Sequence, residues 1–141
     1  MDWNLLPTEI IREHVLPFTY SPQSIELCED IRSFYYTTQL LNDKYKARYY
    51  NENDDYEDKE WLSNDIVLFL NENNGTMMTH TKHYIDVCKR LYLNQNKTSE
   101  QIIQWIKYLD KSKFPCDIHI YLGLLTVRER NGLYNTVKHF L

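Results

Sequence analysis

Glycine occurs at only three positions of this 141-residue chain, Gly75, Gly123 and Gly132. No phosphate-cradling loop can be assembled from glycines so far apart, which removes the common nucleotide-binding motifs. Alanine occurs once, at Ala47. Helices so poor in the best helix former depend on tertiary packing more than on intrinsic propensity. The three cysteines, Cys28, Cys88 and Cys116, are odd in number and widely spaced, so a disulfide framework is not expected; all three suit apolar positions. No apolar run reaches the roughly 18 residues of a membrane span. The longest candidate, near Ile118–Val127, is interrupted by His119, Tyr121 and Gly123. The start, Met1-Asp2-Trp3-Asn4, lacks the basic region and apolar run of a signal peptide, so the chain is expected to stay in the cytosol or nucleus and not to be secreted. The Asn-X-Thr sites at Asn74 and Asn96 then meet no glycosylation machinery.

What is present is globular. Hydrophobic residues make up 43% and charged residues 26%, a balance that supports one core of ordinary size. The net charge of −4 argues against a broad phosphate-binding face. The basic clusters Lys44/Lys46/Arg48 and Lys107/Lys111/Lys113 read as solvated helix ends. Asn, Ile, Lys and Tyr, all with A/T-rich codons, are abundant.

Helical periodicity runs through the chain and predicts an all-α fold, a bundle of about six or seven helices with one long amphipathic second helix. Pro7 and Glu9 mark the first turn of a first helix with Leu6, Ile10, Ile11 and Val15 on its apolar face, ended by Pro17. Ser21 and Pro22 then open a helix reaching to about Arg48. Its stripe is Leu27, Ile31, Phe34, Thr38, Leu41 and Tyr45, at alternating spacings of four and three. Such a stripe is a core seam within the domain or a coiled-coil seam between two copies.

Residues 51–60, with six acids and one lysine, are expected to form a solvated loop between an N-terminal unit (1–50) and a helical bundle (61–141) packed on it. A helix from about Asp58 to Glu72 should bury Trp61, Leu62, Ile66, Phe69 and Leu70, with Asn73-Asn74-Gly75 as its stop. The next should run from Thr81 to about Leu93 with Tyr84, Ile85, Cys88, Leu91 and Tyr92 on one side. Thr98 and Gln101 form a capping box for a helix carrying Ile102, Ile103, Ile106 and Leu109. Over 116–125 the residues fit alternation and helical spacing alike; with no partner strand in view, a helix is expected. Asn131-Gly132 is expected to break the chain before a closing helix with Leu133, Val137 and Phe140.

Motifs for chemistry are few. His80 and His83 with Cys88 lack the close ligand pairs of a zinc site. Asn51, Asn53 and Asp55 mimic a calcium loop, but its sixth position is Tyr56 instead of glycine and its twelfth is Leu62 instead of glutamate. There is no nucleophile elbow. Neither an enzyme, a cofactor, a metal nor a small-molecule substrate is expected. The twelve tyrosines are more informative: Tyr35, Tyr36, Tyr49 and Tyr50 cannot all share one buried stripe. They are either interface residues, where aromatic rings with polar tips are favoured, or the product of A/T-rich coding.

The opening Trp3-Asn4-Leu5-Leu6-Pro7-Thr8-Glu9-Ile10-Ile11, with Leu-Pro-X-Glu-Ile at its centre, resembles the start of an F-box. Its continuation, His14 to Gln23 and then Leu27 to Phe34, is similar to F-box-like proteins of giant nucleocytoplasmic DNA viruses. The resemblance covers about residues 3–50. It implies a short helical unit contacting the Skp-type adaptor of a cullin ubiquitin ligase, with Leu6, Pro7, Ile10, Ile11 and Leu16 at the contact. The usual Val-Cys-Lys-X-Trp stretch is missing, and the second helix is longer than an F-box requires. The same residues also serve as an ordinary helix start with a core face. The expected function is a non-enzymatic viral adaptor that recruits a host or viral protein. The alternatives are a minor virion or assembly component, and an accessory subunit of a viral nucleic-acid complex.

Overall fold

The computed structural model describes residues 8–15, 23–51, 56–72, 80–109 and 116–139. Seven α-helices and no β-strand occur among the described residues: α1 (Thr8–Ile10, continuing as a π-helical turn over Ile11–Val15), α2 (Ile25–Tyr49), α3 (Glu57–Leu70), α4 (Lys82–Cys88), α5 (Ser99–Leu109), α6 (Cys116–Leu124) and α7 (Val127–Val137), with a 3₁₀ turn at Tyr92–Asn94. The expected all-α bundle with a long second helix is what forms. None of these helices is long and apolar enough to cross a membrane.

At the centre lies α6. Ile118, Tyr121 and Leu122 on it, and Leu125 just after it, are buried, while Ile120 and Leu124 pack against the core. A helix apolar on nearly every side belongs in an interior, which is why its residues fit strand and helix patterns equally. Around it, α2 packs on α3, α6 and α7, and α4 packs on α3, α5 and α6. Buried residues include Leu41 and Tyr45 from α2, Leu62, Ile66 and Leu70 from α3, Val87 and Cys88 from α4, Ile102 and Ile106 from α5, and Leu133 and Val137 from α7.

Several boundaries differ from the sequence reading for identifiable reasons. The second helix starts at Ile25, capped by Ser24, whose hydroxyl accepts from the Leu27 amide at 3.2 Å; Ser21 and Pro22 lie outside the described residues. Glu57 opens α3, so residues 57–60 form a helical first turn whose acids face the positive end of the helix dipole, not a loop. Its end is marked by Glu72 in the left-handed region (φ 55°); the expected stop at Asn73-Asn74-Gly75 lies outside the described residues. The fourth helix ends at Cys88, well short of Leu93. There buried Asn94 turns back to donate to the Cys88 carbonyl at 3.2 Å, which leaves Tyr92 82% exposed.

The largest boundary correction concerns Asn131-Gly132, which lies inside α7 and breaks nothing. A Cβ on Gly132 would meet the Phe69 ring of α3 at 3.5 Å, an ordinary contact distance, so the position has no need of glycine and packs as a plain helical residue. The start of α7 is set by Thr126 and Glu129, a reciprocal capping box. The capping box at Thr98 and Gln101 is present as expected: each backbone amide donates to the other's side chain.

Two arginines finish the carboxyl end of α6, where helix carbonyls lack intrahelical donors. Arg90 donates to the Leu124 carbonyl at 2.9 Å and forms a two-pronged pair with Glu129 (2.5 and 2.9 Å). Arg130 is fully buried, and all its nitrogens are used. It donates to the carbonyls of Leu122, Leu125 and Asp30, to the Ser33 hydroxyl and to the Asp30 carboxylate. One guanidinium thereby joins the end of α6, the start of α7 and the N-terminal half of α2.

Candidate interaction surface

The stripe on α2 divides into two parts. Leu41 and Tyr45 are buried and Phe34 is half-buried against the core, while Thr38 is only half-buried, its hydroxyl donating to the Phe34 carbonyl at 2.7 Å, and its neighbour Thr37, outside the expected stripe, is the buried threonine. Leu27 and Ile31, expected to continue that seam, are 46% and 50% exposed. Beside them Ile25, Tyr35 and Tyr36 are also exposed. This end of α2 reaches past most of the apolar core and is held by Phe34 and by the hydrogen bonds of Arg130 to Asp30 and Ser33.

At the other end of α2 an aromatic row crosses to α3. Tyr45 and Tyr49, one turn apart, have ring centroids 5.9 Å apart, and Tyr49 stacks on Trp61 at 5.4 Å and 20°. The Tyr45 hydroxyl donates to the Asp65 carboxylate. Burial, reinforced by that hydrogen bond to a carboxylate, pushes the Tyr45 phenol well above its ordinary range. Trp61, expected in the core, is 46% exposed because it caps this row from the outside.

Cations accompany the rings. The Arg48 guanidinium lies 5.6 Å from the Tyr49 centroid, Lys46 Nζ lies 6.0 Å from Tyr50, and Lys59 Nζ lies 5.1 Å from Tyr56. Each is at cation–π distance. Tyr50 and Tyr56 are more than half exposed. Lys46 and Lys59 also border a hollow of about 220 Å³ with Asn42, Asp43, Asp58, Ile118 and His119. Two ammonium groups and two carboxylates alternate around it, so it has no net preference for an anion or a cation.

Of the residues singled out in the sequence, Tyr49 and Tyr50 belong to this surface. Tyr35 and Tyr36 are exposed about 14 residues earlier, roughly 21 Å along the helix, so the two tyrosine pairs do not form one patch. Ile10 is 42% exposed on α1. Ile11 lies in the π-helical turn, with its side chain outside the described part. Leu6, Pro7 and Leu16 are outside the described residues. Sequence reasoning missed Tyr56, Lys59 and the outward face of Trp61. The i to i+4 pair Tyr45/Tyr49 was the available signal for the row.

Two pairs of buried polar side chains tie helices together, although the second carboxylate oxygen of Asp117 accepts no hydrogen bond among the described residues. The Ser63 hydroxyl donates to Asp117 at 2.6 Å, joining α3 to α6, and the Tyr84 hydroxyl donates to the Tyr121 hydroxyl at 2.8 Å, joining α4 to α6. Cys88 is a buried free thiol that desolvation pushes up to about 12, so it is an inert core residue. No three His, Cys, Asp or Glu side chains converge as a metal site among the described residues. Compared with protein-family models, curated proteins and solved structures, the chain matches none.

Proposed function

We propose that the chain is a non-enzymatic adaptor that recruits another protein, with the surface formed by Tyr49, Tyr50, Tyr56 and Trp61 as a principal contact. The observation that carries this reading is the composition of that surface. Exposed Trp and Tyr rings, held by stacking and accompanied by Arg48, are the residue types that dominate binding energy at protein interfaces. The rings are held in place before binding, which lowers the entropy cost of association.

A partner for α1 follows from the F-box-like opening. Under this reading Ile10, with Leu6, Pro7, Ile11 and Leu16, contacts a Skp-type adaptor in the host of a giant virus. The exposure of Ile10 supports it, because a residue reserved for the core would be covered. The acids of α3 beside the aromatic row favour a protein partner over nucleic acid, since a stacking platform for bases is normally set in a basic groove.

The test is affinity purification of the tagged chain from infected cells, with Ile10→Asp and Trp61→Ala in parallel. A Skp-type adaptor and cullin lost only with Ile10→Asp, and a second protein lost only with Trp61→Ala, is the expected result. Recovery of capsid proteins without ligase components, unaffected by Ile10→Asp, would replace the ubiquitin-ligase reading with a structural role in the particle.

A further inference from the structure

The aromatic row ends on a ring with one face still open. Tyr49 stacks on one side of the Trp61 indole, yet Trp61 remains 46% exposed. The geometry of α3 locates the open side. Asp65, one turn after Trp61, is turned toward α2, where it accepts from the Tyr45 hydroxyl. Asn64 lies about 100° round the helix from Asp65 and is exposed. Glu57, Trp61, Asn64 and Leu68 follow one another at spacings of four, three and four and so form one line along α3. That line borders α2 at Trp61 and faces solvent at Asn64 and at Leu68, which is 39% exposed.

The charges that α3 places on this flank are negative. Glu60 is exposed one turn before Asn64. Glu57 begins the line, one of its carboxylate oxygens accepting from the Asn51 amide at 2.9 Å. Lys59, the one basic residue of α3, is about 160° from Trp61 round the helix and borders the hollow over Ile118 instead.

We infer that this flank takes a basic protein segment whose arginine lies on the open face of Trp61. The inference rests on the adaptor reading above and names the chemistry of the partner. An indole is the best aromatic face for a cation, and a guanidinium is planar, weakly hydrated and able to fork onto carboxylates. Helical side chains lean toward the start of their helix, so the Trp61 ring lies over the turn that carries Glu57 and Glu60. The row already contains one contact of this kind, the Arg48 guanidinium 5.6 Å from the Tyr49 centroid. A lysine would bring the charge without the stacking plane or the fork. A phosphate-bearing partner would be repelled by the two acids. Leu68 extends the site: it lies seven residues on, about 10 Å along the axis. An extended strand covers that distance in about three residues. An arginine followed three positions later by an apolar residue therefore engages both ends of the flank.

Two blocked tetrapeptides, acetyl-Arg-Ser-Ser-Leu-amide and its lysine analogue, test the inference against the whole chain, read by the amide chemical shifts of residues 57–68. The arginine peptide is expected to give saturable shifts centred on Trp61 and Leu68 in the millimolar range, and the lysine peptide to bind about threefold more weakly or worse. Glu57→Gln with Glu60→Gln should weaken the arginine peptide roughly fivefold, and Trp61→Ala should abolish the shifts. These substitutions lie on an exposed or half-exposed flank, and unchanged amide spectra outside α3 verify that the fold is kept. No shifts up to about 10 mM, equal affinity for the two peptides, or shifts that survive Trp61→Ala would each overturn the inference. Shifts along the flank that grow with protein concentration alone would place a second copy there and also overturn it. The adaptor reading fails separately, if Trp61→Ala loses no protein in the purification above. A partner lost with Trp61→Ala but kept by the double glutamine variant would retain the adaptor and overturn the arginine.

Discussion

The two halves of α2 have the same apolar periodicity and are held by different forces. From Thr37 to Tyr45 the helix is fixed by close-packed apolar contact, with Leu41 fully buried. From Ile25 to Tyr36 the apolar residues Leu27, Ile31 and Tyr35 are open, Phe34 alone of the stripe packs against the core, and Asp30 and Ser33 are tied to Arg130. A stripe therefore specifies a helix and the side on which it can be buried. It does not specify how far along the helix burial continues. That depends on the length of the partner helices, and here α3, α6 and α7 are each much shorter than the 25 residues of α2.

The largest effect is expected from removing the polar hold. Arg130→Met keeps an aliphatic chain in place but strips the buried carbonyls of Leu122 and Leu125 of their donor, and should cost about 3–5 kcal/mol in urea unfolding. It should also break the symmetry of protection along α2. Hydrogen exchange is expected to accelerate at amides 25–34 and to remain slow from Thr37 to Tyr45. Uniform acceleration along the helix would mean that both halves share one anchor.

Next in size is a pair of equal truncations, Leu41→Ala and Leu27→Ala. The first leaves a cavity in the core and should cost about 2–5 kcal/mol. The second removes a side chain that is already half in water and should cost under about 1 kcal/mol. Similar losses from both, measured by the same urea melts, would place Leu27 in the core and erase the distinction between the halves.

The smallest effect concerns the second arginine at the end of α6. The Arg90 guanidinium holds the Glu129 carboxyl down to about 2, aided by the amide and hydroxyl of Thr126. A carboxyl depressed in the folded state contributes stability that is complete above its ordinary value near 4.5 and is lost as pH falls toward about 2. Both partners are partly exposed, so the contribution is modest, about 1 kcal/mol after solvent screening. Glu129→Gln should lower thermal stability slightly at pH 7 and flatten its decline between about pH 4.5 and 2.

Local signals in the sequence were read correctly where the physics is local. The Thr98/Gln101 box, the apolar side of α5, that of α3 apart from Trp61, and the all-α class depend on residues within one or two turns. Arg130 was passed over because its partners, Asp30 and Ser33, are close to a hundred residues away; nothing beside it marks it as buried. Asn131-Gly132 was taken for a break because the pair is a common turn. Thr126 and Glu129 start the helix a few residues earlier, and it runs through the pair to Val137. Thr126-X-X-Glu129 is a signal of the same local kind as the Thr98/Gln101 box. Part of the candidate surface was visible as tyrosines, while its cations and the outward face of Trp61 depended on how α2 and α3 meet.

The span of the Arg130 clasp also sets a clock. Asp30 and Arg130 are separated by 100 positions, and at about 5–20 residues per second a ribosome takes roughly 5–20 s to travel between them. Throughout that interval the N-terminal half of α2 has been synthesised and its fastener has not. A nascent chain in this state is what holding chaperones bind, and their release from it must wait for the synthesis of the last helix.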